Sequence, residues 1–367
     1  MDMNKISELK VILGDFLKWN NARLVCFTQM LLALFAVRTV NLREIAVAFS
    51  SDALIDSRYK RLKRFFSQFS IDLDVIACWV FKLFFSPSQK IYLTIDRTNW
   101  FWGKAKINIL TLAIAYEGIA IPLLWNLLDK AGNATSAEHQ AILERFIMLF
   151  GKDCIAGVLA DREFGSGDLF NWLNENKIPF YIRIKEDSIV RLSKKRLFKA
   201  EKIFSDITPK SSKIFPLKIE IFGQKVNLAG SRSERGELMI VATNQIAKNA
   251  IPIYLRRWEI ETLFSCLKGR GFRFEETRLT HLDRIEKLMA LLTIGVCWAH
   301  KVGEWRATKR PIIFNNYRES KRPQYSYFRY GFDLIRSVLF NGYKNSSQLL
   351  DCLSQQGAHL LTTQEPI

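Results

Sequence analysis

No CxxC pair and no cysteine–histidine cluster of zinc-site spacing occurs in these 367 residues. The six cysteines, Cys26, Cys78, Cys154, Cys266, Cys297 and Cys352, are widely scattered, which argues against a disulfide scaffold and for reduced thiols in or near a core. The four histidines (His139, His281, His300 and His359) are equally isolated, so a histidine-based triad has no footing. Long apolar runs are missing as well. The longest, Val25 to Val37 and Met289 to Ala299, are too short to span a bilayer and read as buried helices, so no membrane partner is expected. The opening MDMNKISELK lacks the apolar core and small-residue cleavage site of a secretory signal, so a cytoplasmic location is expected. Acidic residues are scarce: 36 Asp and Glu face 54 Lys and Arg, for a formal charge of +18 spread over several segments. That excess implies a polyanionic partner. A 49% hydrophobic content over this length supports two or three folded domains.

Residues 1 to 87 read as an all-helical domain, with apolar periodicity from Leu24 to Val37, a cap-like Asn41-Leu42-Arg43-Glu44 and a further helix to about Phe49. The run SRYKRLKRFF (57–66) carries Arg58, Lys60, Arg61, Lys63 and Arg64 with no acid, while Tyr59, Leu62, Phe65 and Phe66 supply a packing face. It resembles a recognition helix that lays cations along phosphates; a merely basic surface helix is the plainer alternative. After a Ser-Pro-Ser break at 86–88, strands are expected over Ile91 to Asp96, Ile107 to Tyr116 and Ile119 to Leu124, a helix over Thr135 to Phe150 and a buried strand over Ile155 to Asp161. Strand, strand, strand, helix, strand is the order at the start of an RNase H-like fold. The predicted class is therefore mixed α/β, with a catalytic domain over 88–300. A β-rich insertion over 186–250 is expected to interrupt it, with strands Leu217 to Phe222, Lys225 to Ala229 and Glu237 to Thr243 and a turn at Gly223. Residues 301–367 read as a helical, basic C-terminal region, suited to dimerisation, with Lys309 to Pro311 and Tyr317 to Tyr330 able to stack on bases or contact phosphate.

Three segments carry the chemistry. In YLRRWEIETLFSCLK (254–268), a continuous helix would place Tyr254, Arg257 and Lys268 within about 40° of Glu261 around its axis, beside an apolar stripe of Ile253, Ile260, Phe264 and Leu267. One carboxylate among a phenol, a guanidinium and an ammonium suits a metal ligand surrounded by phosphate holders; an ordinary solvated helix face is the plain alternative. Asp96 ends the predicted strand IYLTID and Asp161 ends IAGVLAD, at the strand edge where open sheets usually build their sites. A lone aspartate there is commonly a turn residue. Two such aspartates with Glu261 form a three-carboxylate set whose hard oxygens select Mg²⁺ or Mn²⁺, two ions per site, for phosphoryl transfer on nucleic acid. Beside them, Arg162 is placed to contact backbone, and Glu163 reads as a structural carboxylate, a spare carboxylate for the site being the alternative.

IDRTNW (95–100), VLADREFG (158–165) and the Y-R-E-K helix resemble the three catalytic blocks of DDE transposases of bacterial insertion-sequence family four, over residues 91 to about 275; SRYKRLKRFF is also similar to an N-terminal stretch of those enzymes. The resemblance implies an RNase H-like catalytic domain acting near the nucleoid and a synaptic homodimer on the terminal inverted repeats. It further implies cleavage through a DNA hairpin, then strand transfer into target DNA. Position by position, Asp96, Asp161 and Glu261 would bind the metals, and Tyr254, Arg257 and Lys268 would hold phosphates. One departure stands out. Relatives that form hairpins are similar in holding a flipped base with an aromatic side chain, often Trp, from the β insertion, but residues 186–250 contain no Trp. Phe198, Phe204, Phe215, Phe222, Trp100 and Trp102 are the available substitutes. A nuclease of the same fold without joining activity, and a non-catalytic DNA-binding descendant of a transposase, are the alternatives.

Overall fold

Helices that are apolar on nearly every side need neighbours all round, and α2 (Asn21–Val37) is one: it buries eleven residues between Leu24 and Phe35. The computed structural model describes residues 3–194, 196–317, 320–341 and 346–354. It divides into one unit of Met1–Ser86, Trp100–Ile107 and Phe264–Ile367 and another of Pro87–Asn99 and Asn108–Leu263. In the first, α1 (Met3–Leu17) precedes α2, whose first turn is capped by Asn20. Asn41 accepts the Arg43 N–H at 3.0 Å and opens α3 (Leu42–Val47), as the cap-like sequence indicates. Two more helices follow. These are α4 (Ile55–Gln68), which turns Leu62, Phe65 and Phe66 inward, and α5 (Leu73–Phe84), capped by Asp72.

The second unit is built on a sheet. Strands β1 (Ile91–Trp102), β2 (Ala105–Tyr116) and β3 (Ile119–Leu127) lead into α6 (Ser136–Phe150), then β4 (Ile155–Ala160), α7 (Gly167–Glu175) and β5 (Phe180–Ile184). The stretch expected to hold three strands holds six: β6 (Ile189–Ser193), β7 (Arg196–Lys199), β8 (Ser212–Ile214), β9 (Ile219–Ile221), β10 (Gln224–Arg232) and β11 (Leu238–Thr243). Their order is β3-β2-β1-β4-β5-β11-β10-β9-β6-β7, with β8 also on β10. β4 is parallel to both β1 and β5, whereas β11 is antiparallel to β5, so the β-rich stretch continues the same mixed sheet. The short strands were missed because β6 to β8 are largely exposed and lack an alternating apolar pattern. Phe222 and Gly223, both at positive φ, make the two-residue turn between β9 and β10. The chain then enters α8 (Ala250–Leu255) and α9 (Trp258–Leu267).

Returning to the first unit, α10 (Leu282–Lys309) is followed by a hairpin of β12 (Phe314–Tyr317) and β13 (Ser320–Pro323), by α11 (Tyr327–Asn341) and by α12 (Ser346–Asp351). Residues 318–319 of the expected basic surface, and 342–345 and 355–367 of the expected dimerisation region, lie outside the described residues. α10 and α11 touch through backbone. A Cβ at Gly303 would lie 1.9 Å from the Tyr327 carbonyl, and one at Gly331 1.9 Å from that of Ala299, so neither position tolerates a side chain without separating the helices. Among the described residues no single helix is long and apolar enough to cross a membrane.

Thr135 and Glu138 form a reciprocal capping box at the start of α6. One turn in, His139 is buried, its ring 4.5 Å from that of Phe164. Burial pushes its imidazole from 6.5 down to about 4, with Arg97 and Lys130 acting in the same direction and Glu163 and Glu138 against it. The folded state thus keeps the ring neutral where the unfolded chain protonates it, so this residue's contribution is intact above about pH 6.5 and is lost as pH falls toward 4, by about 3 kcal/mol. Comparing urea unfolding at neutral pH and near pH 4.5, His139→Phe should lose less stability on acidification than the wild type by that amount. An equal loss in both proteins would mean that His139 is already charged in the fold.

Candidate active site

The register of two parallel strands places the first two acids together. Ile95 of β1 pairs with Ala160 of β4, so Asp96 and Asp161, one residue further along each chain, sit side by side on adjacent strands. Asp96 does not end its strand, as the sequence suggested: β1 runs on to Trp102, because TNWFW is as compatible with extended backbone as IYLTI. Asp161 does end its strand, and its Oδ1 accepts the Arg162 N–H at 2.7 Å, capping the 3-10 turn Arg162–Phe164.

The predicted continuous helix over 254–268 is two helices. Around Arg256 and Arg257 the backbone bonds tighten to i→i+3, from Arg257 N–H to Tyr254 and from Ile260 N–H to Arg257, and Lys268 falls just past the end of α9. Pro252 lies in the first turn of α8, where its missing N–H costs nothing. The break turns Arg257 inward, leaving it 4% exposed. Its Nη1 donates to Asp96 Oδ2 at 3.1 Å, its Nη2 to Glu261 Oε1 at 2.6 Å and its Nε to the Tyr254 hydroxyl at 3.2 Å. That hydroxyl donates to Asp161 Oδ1 at 3.4 Å. One guanidinium and one phenol therefore gather three carboxylates that are 65 and 100 positions apart in the chain. Among the described residues no three His, Cys, Asp or Glu side chains stand close enough to hold a metal ion as they are placed; the guanidinium bridges Asp96 and Glu261 instead.

The electrostatics follow from this packing. Burial pushes the Asp96 carboxyl up to about 6, against the Arg97 N–H and the Arg257 charge, and Glu163 and Asp161 add to the rise. Burial likewise pushes the Tyr254 phenol up to about 12, so it stays a donor. For Arg257 burial opposes the charge, but Tyr254, Glu261, Asp96 and Asp161 outweigh it and raise its pKa above the ordinary arginine value.

Of the other residues singled out from the sequence, Arg162 is exposed beside Asp161. Lys268 belongs to the helical unit, where its Nζ pairs with Glu275 at 2.7 Å and lies 5.4 Å above the Trp100 ring. The basic helix divides in two. Arg58 donates to the carbonyls of Ala53, Phe49 and Ser51, and Arg61 to that of Ala22, whereas Lys60, Lys63 and Arg64 are exposed. Among the aromatic candidates Phe204 is fully buried and Trp100 packs on Phe274, while Trp102 and Phe222 are 38% and 40% exposed.

Two supports were not visible in the sequence. Both aspartates are followed by arginine, but Arg97 turns to the opposite side of its strand from Asp96 and pairs Glu163 through two 3.0 Å bonds, also donating to Asn108, Asn133 and the Gly132 carbonyl. Glu163 is thereby a structural carboxylate that holds the turn after Asp161 to β1. Arg256 donates to the Ala115 carbonyl of β2 at 2.9 Å, stacks over Tyr92 and faces Glu259, whose carboxyl burial pushes up to about 7; this pins the start of α9 to the sheet.

Asp96, Asp161 and Glu261 are thus drawn together by one guanidinium and one phenol beside a mixed sheet. Residues 88–298 match the family described as the transposase DDE domain, and the chain belongs to that family. No curated protein matches it. Among solved structures it is similar to the piggyBac transposase in a cryo-EM structure of that protein's synaptic complex with hairpin DNA, at 11% identity over 95% of this chain and 82% of that one, with a TM-score of 0.47.

Arg257→Ala should leave three acids without their shared counter-charge and lower stability by roughly 3 kcal/mol or more, read as a shifted urea midpoint without divalent ions. An unchanged midpoint would mean that the acids need no such partner.

Proposed function

We propose that this chain is a cut-and-paste DNA transposase of the bacterial insertion-sequence family-four type, with an RNase H-like catalytic sheet. In this reading it cleaves double-stranded DNA at transposon ends and joins the freed ends to target DNA, working as a homodimer in the cytoplasm. The observation that carries the reading is the gathering of Asp96, Asp161 and Glu261 around Arg257 from three separate chain segments. Supporting it are membership of the transposase family, the strand order β3-β2-β1-β4-β5 and the net positive charge.

The donor set fits hard divalent cations: oxygen ligands only, concentrated negative charge and a cationic group already drawn in to balance it. Asp96, Asp161 and Glu261 would hold Mg²⁺ or Mn²⁺, two per site, which when bound supply Lewis-acid activation of a phosphodiester. Glu261 is 56% exposed at its side chain and so open to the ligand side, whereas Asp96 is anchored by the Arg97 amide. Arg257 and Arg162 contribute positive charge for scissile-strand phosphates, Lys268 of the helical unit supplies a further cation for DNA, and Tyr254, kept protonated, is a neutral hydrogen-bond donor. Exposed cations on α4 hold flanking duplex. Trp102, on the β1–β2 hairpin, and Phe222 are exposed aromatics open to a flipped base in a hairpin intermediate.

Asp96→Ala, Asp161→Ala and Glu261→Ala should each leave binding of end DNA within a few-fold of wild type and reduce Mg²⁺-dependent cleavage on the order of a thousandfold. Lys268→Ala should reduce cleavage only partly. Joining of cut ends to a plasmid separates a transposase from a nuclease, and wild-type cleavage by any of the three acid variants would remove that residue from the site. The wild type should also bind Mn²⁺ in calorimetry and the three variants should not.

A further inference from the structure

Lys60, Lys63, Arg64 and Ser67 stand at i, i+3, i+4 and i+7 of α4, which puts them on one face of the helix. They line an open depression together with Arg284 of α10, and among the described residues no acidic one lies in its wall. The two helices are far apart in the chain but fixed to each other, because Lys287 Nζ donates to the Phe66 carbonyl at 2.9 Å. Lys287 is thus engaged, with Asp283 as a second partner. Its neighbour is not: the Arg284 Nε is buried and has no hydrogen-bond partner among the described residues. Arg58 and Arg61 are outside the depression and hold main-chain carbonyls.

A desolvated, unpaired guanidinium donor beside three further cations is unfavourable by itself, since the charges repel and the donor lacks an acceptor. An anion relieves both. Arg284 also lies in the first turn of α10, where the free amide ends add positive potential. From Lys60 to Ser67 the stripe is about 10 Å long at helical rise, which suits a run of backbone phosphates better than one small anion. We propose that Lys60, Lys63, Arg64, Ser67 and Arg284 form a phosphate seat for double-stranded DNA, in which Arg284 is a contact residue and Arg58 and Arg61 are scaffold. The proposal rests on the reading of the protein as DNA-binding and is independent of the metal chemistry.

The test is fluorescence anisotropy of the full chain on a labelled duplex of arbitrary sequence, in EDTA, from about 50 to about 200 mM salt. Arg284→Ala should make the slope of log affinity against log salt shallower by about 0.9, and Lys60→Ala/Lys63→Ala/Arg64→Ala by about 2.7, one phosphate contact per cation. Arg284→Lys should restore most of the slope, because it keeps the charge. Arg58→Ala and Arg61→Ala should lower the melting temperature and leave the slope alone. The three α4 side chains in the triple variant are exposed, so it keeps the test valid should Arg284→Ala unfold. Wild-type slope in the triple variant, or in an Arg284→Ala protein that melts as wild type does, would overturn the proposal. Inactive Asp96→Ala protein should keep the full slope, so failure of the catalytic reading and failure of the seat give different results.

Discussion

The pairing of Ile95 with Ala160 is the constraint on which the site depends. A parallel register is fixed by the apolar residues on both faces of β1 and β4, and once it is fixed the two aspartates that follow have no choice but to be neighbours. Slipping either strand by one residue would send one carboxylate to the other side of the sheet. The core therefore sets the chemistry: Leu93, Ile95, Val158 and Leu159 are buried completely, and the acids are positioned by what those residues need.

Two carboxylates so placed repel, and a third from α9 worsens the balance. The protein answers with Arg257, buried and bonded to Asp96, Glu261 and Tyr254, and with the Tyr254 hydroxyl on Asp161. Even so, the Asp96 carboxyl is held well above the ordinary carboxylate range by its burial. A site arranged for stability alone would replace such a carboxylate with an apolar group. A carboxylate kept buried there costs the fold stability. Around it, Arg97 with Glu163 and Arg256 with Ala115 tie the acid-bearing segments to strands, so the cluster is held by the sheet rather than by its own attractions.

In the helical unit some cations are committed to the fold and others are exposed. On α4 alternate cations do different work: Arg58 and Arg61 satisfy carbonyls of their own unit, while Lys60, Lys63 and Arg64 project outward on one stripe. The seam of α10 with α11, closed at Gly303 and Gly331, and the Lys287 bond to α4 give the C-terminal helices a part in building that surface. Sequence position is a poor guide here, since residues more than two hundred positions apart make one face.

Amino-acid order alone determined the helices α2, α3 and α6 with the Asn41 cap, the strands β2 to β4 and the turn at Gly223. Each is a local matter of periodicity, capping or composition within a dozen residues. It did not reveal that β1 runs past Asp96, that the chain breaks helix at Arg257, or that six strands rather than three extend the sheet. Those outcomes depend on pairing and burial across long separations. Nor could spacing tell that Arg257 would turn inward, that Arg97 would face Glu163 while Arg162 faced solvent, or that Arg284 would join the stripe on α4. Identical side chains take opposite roles according to which strand or helix is packed against them, and only the tertiary structure decides that.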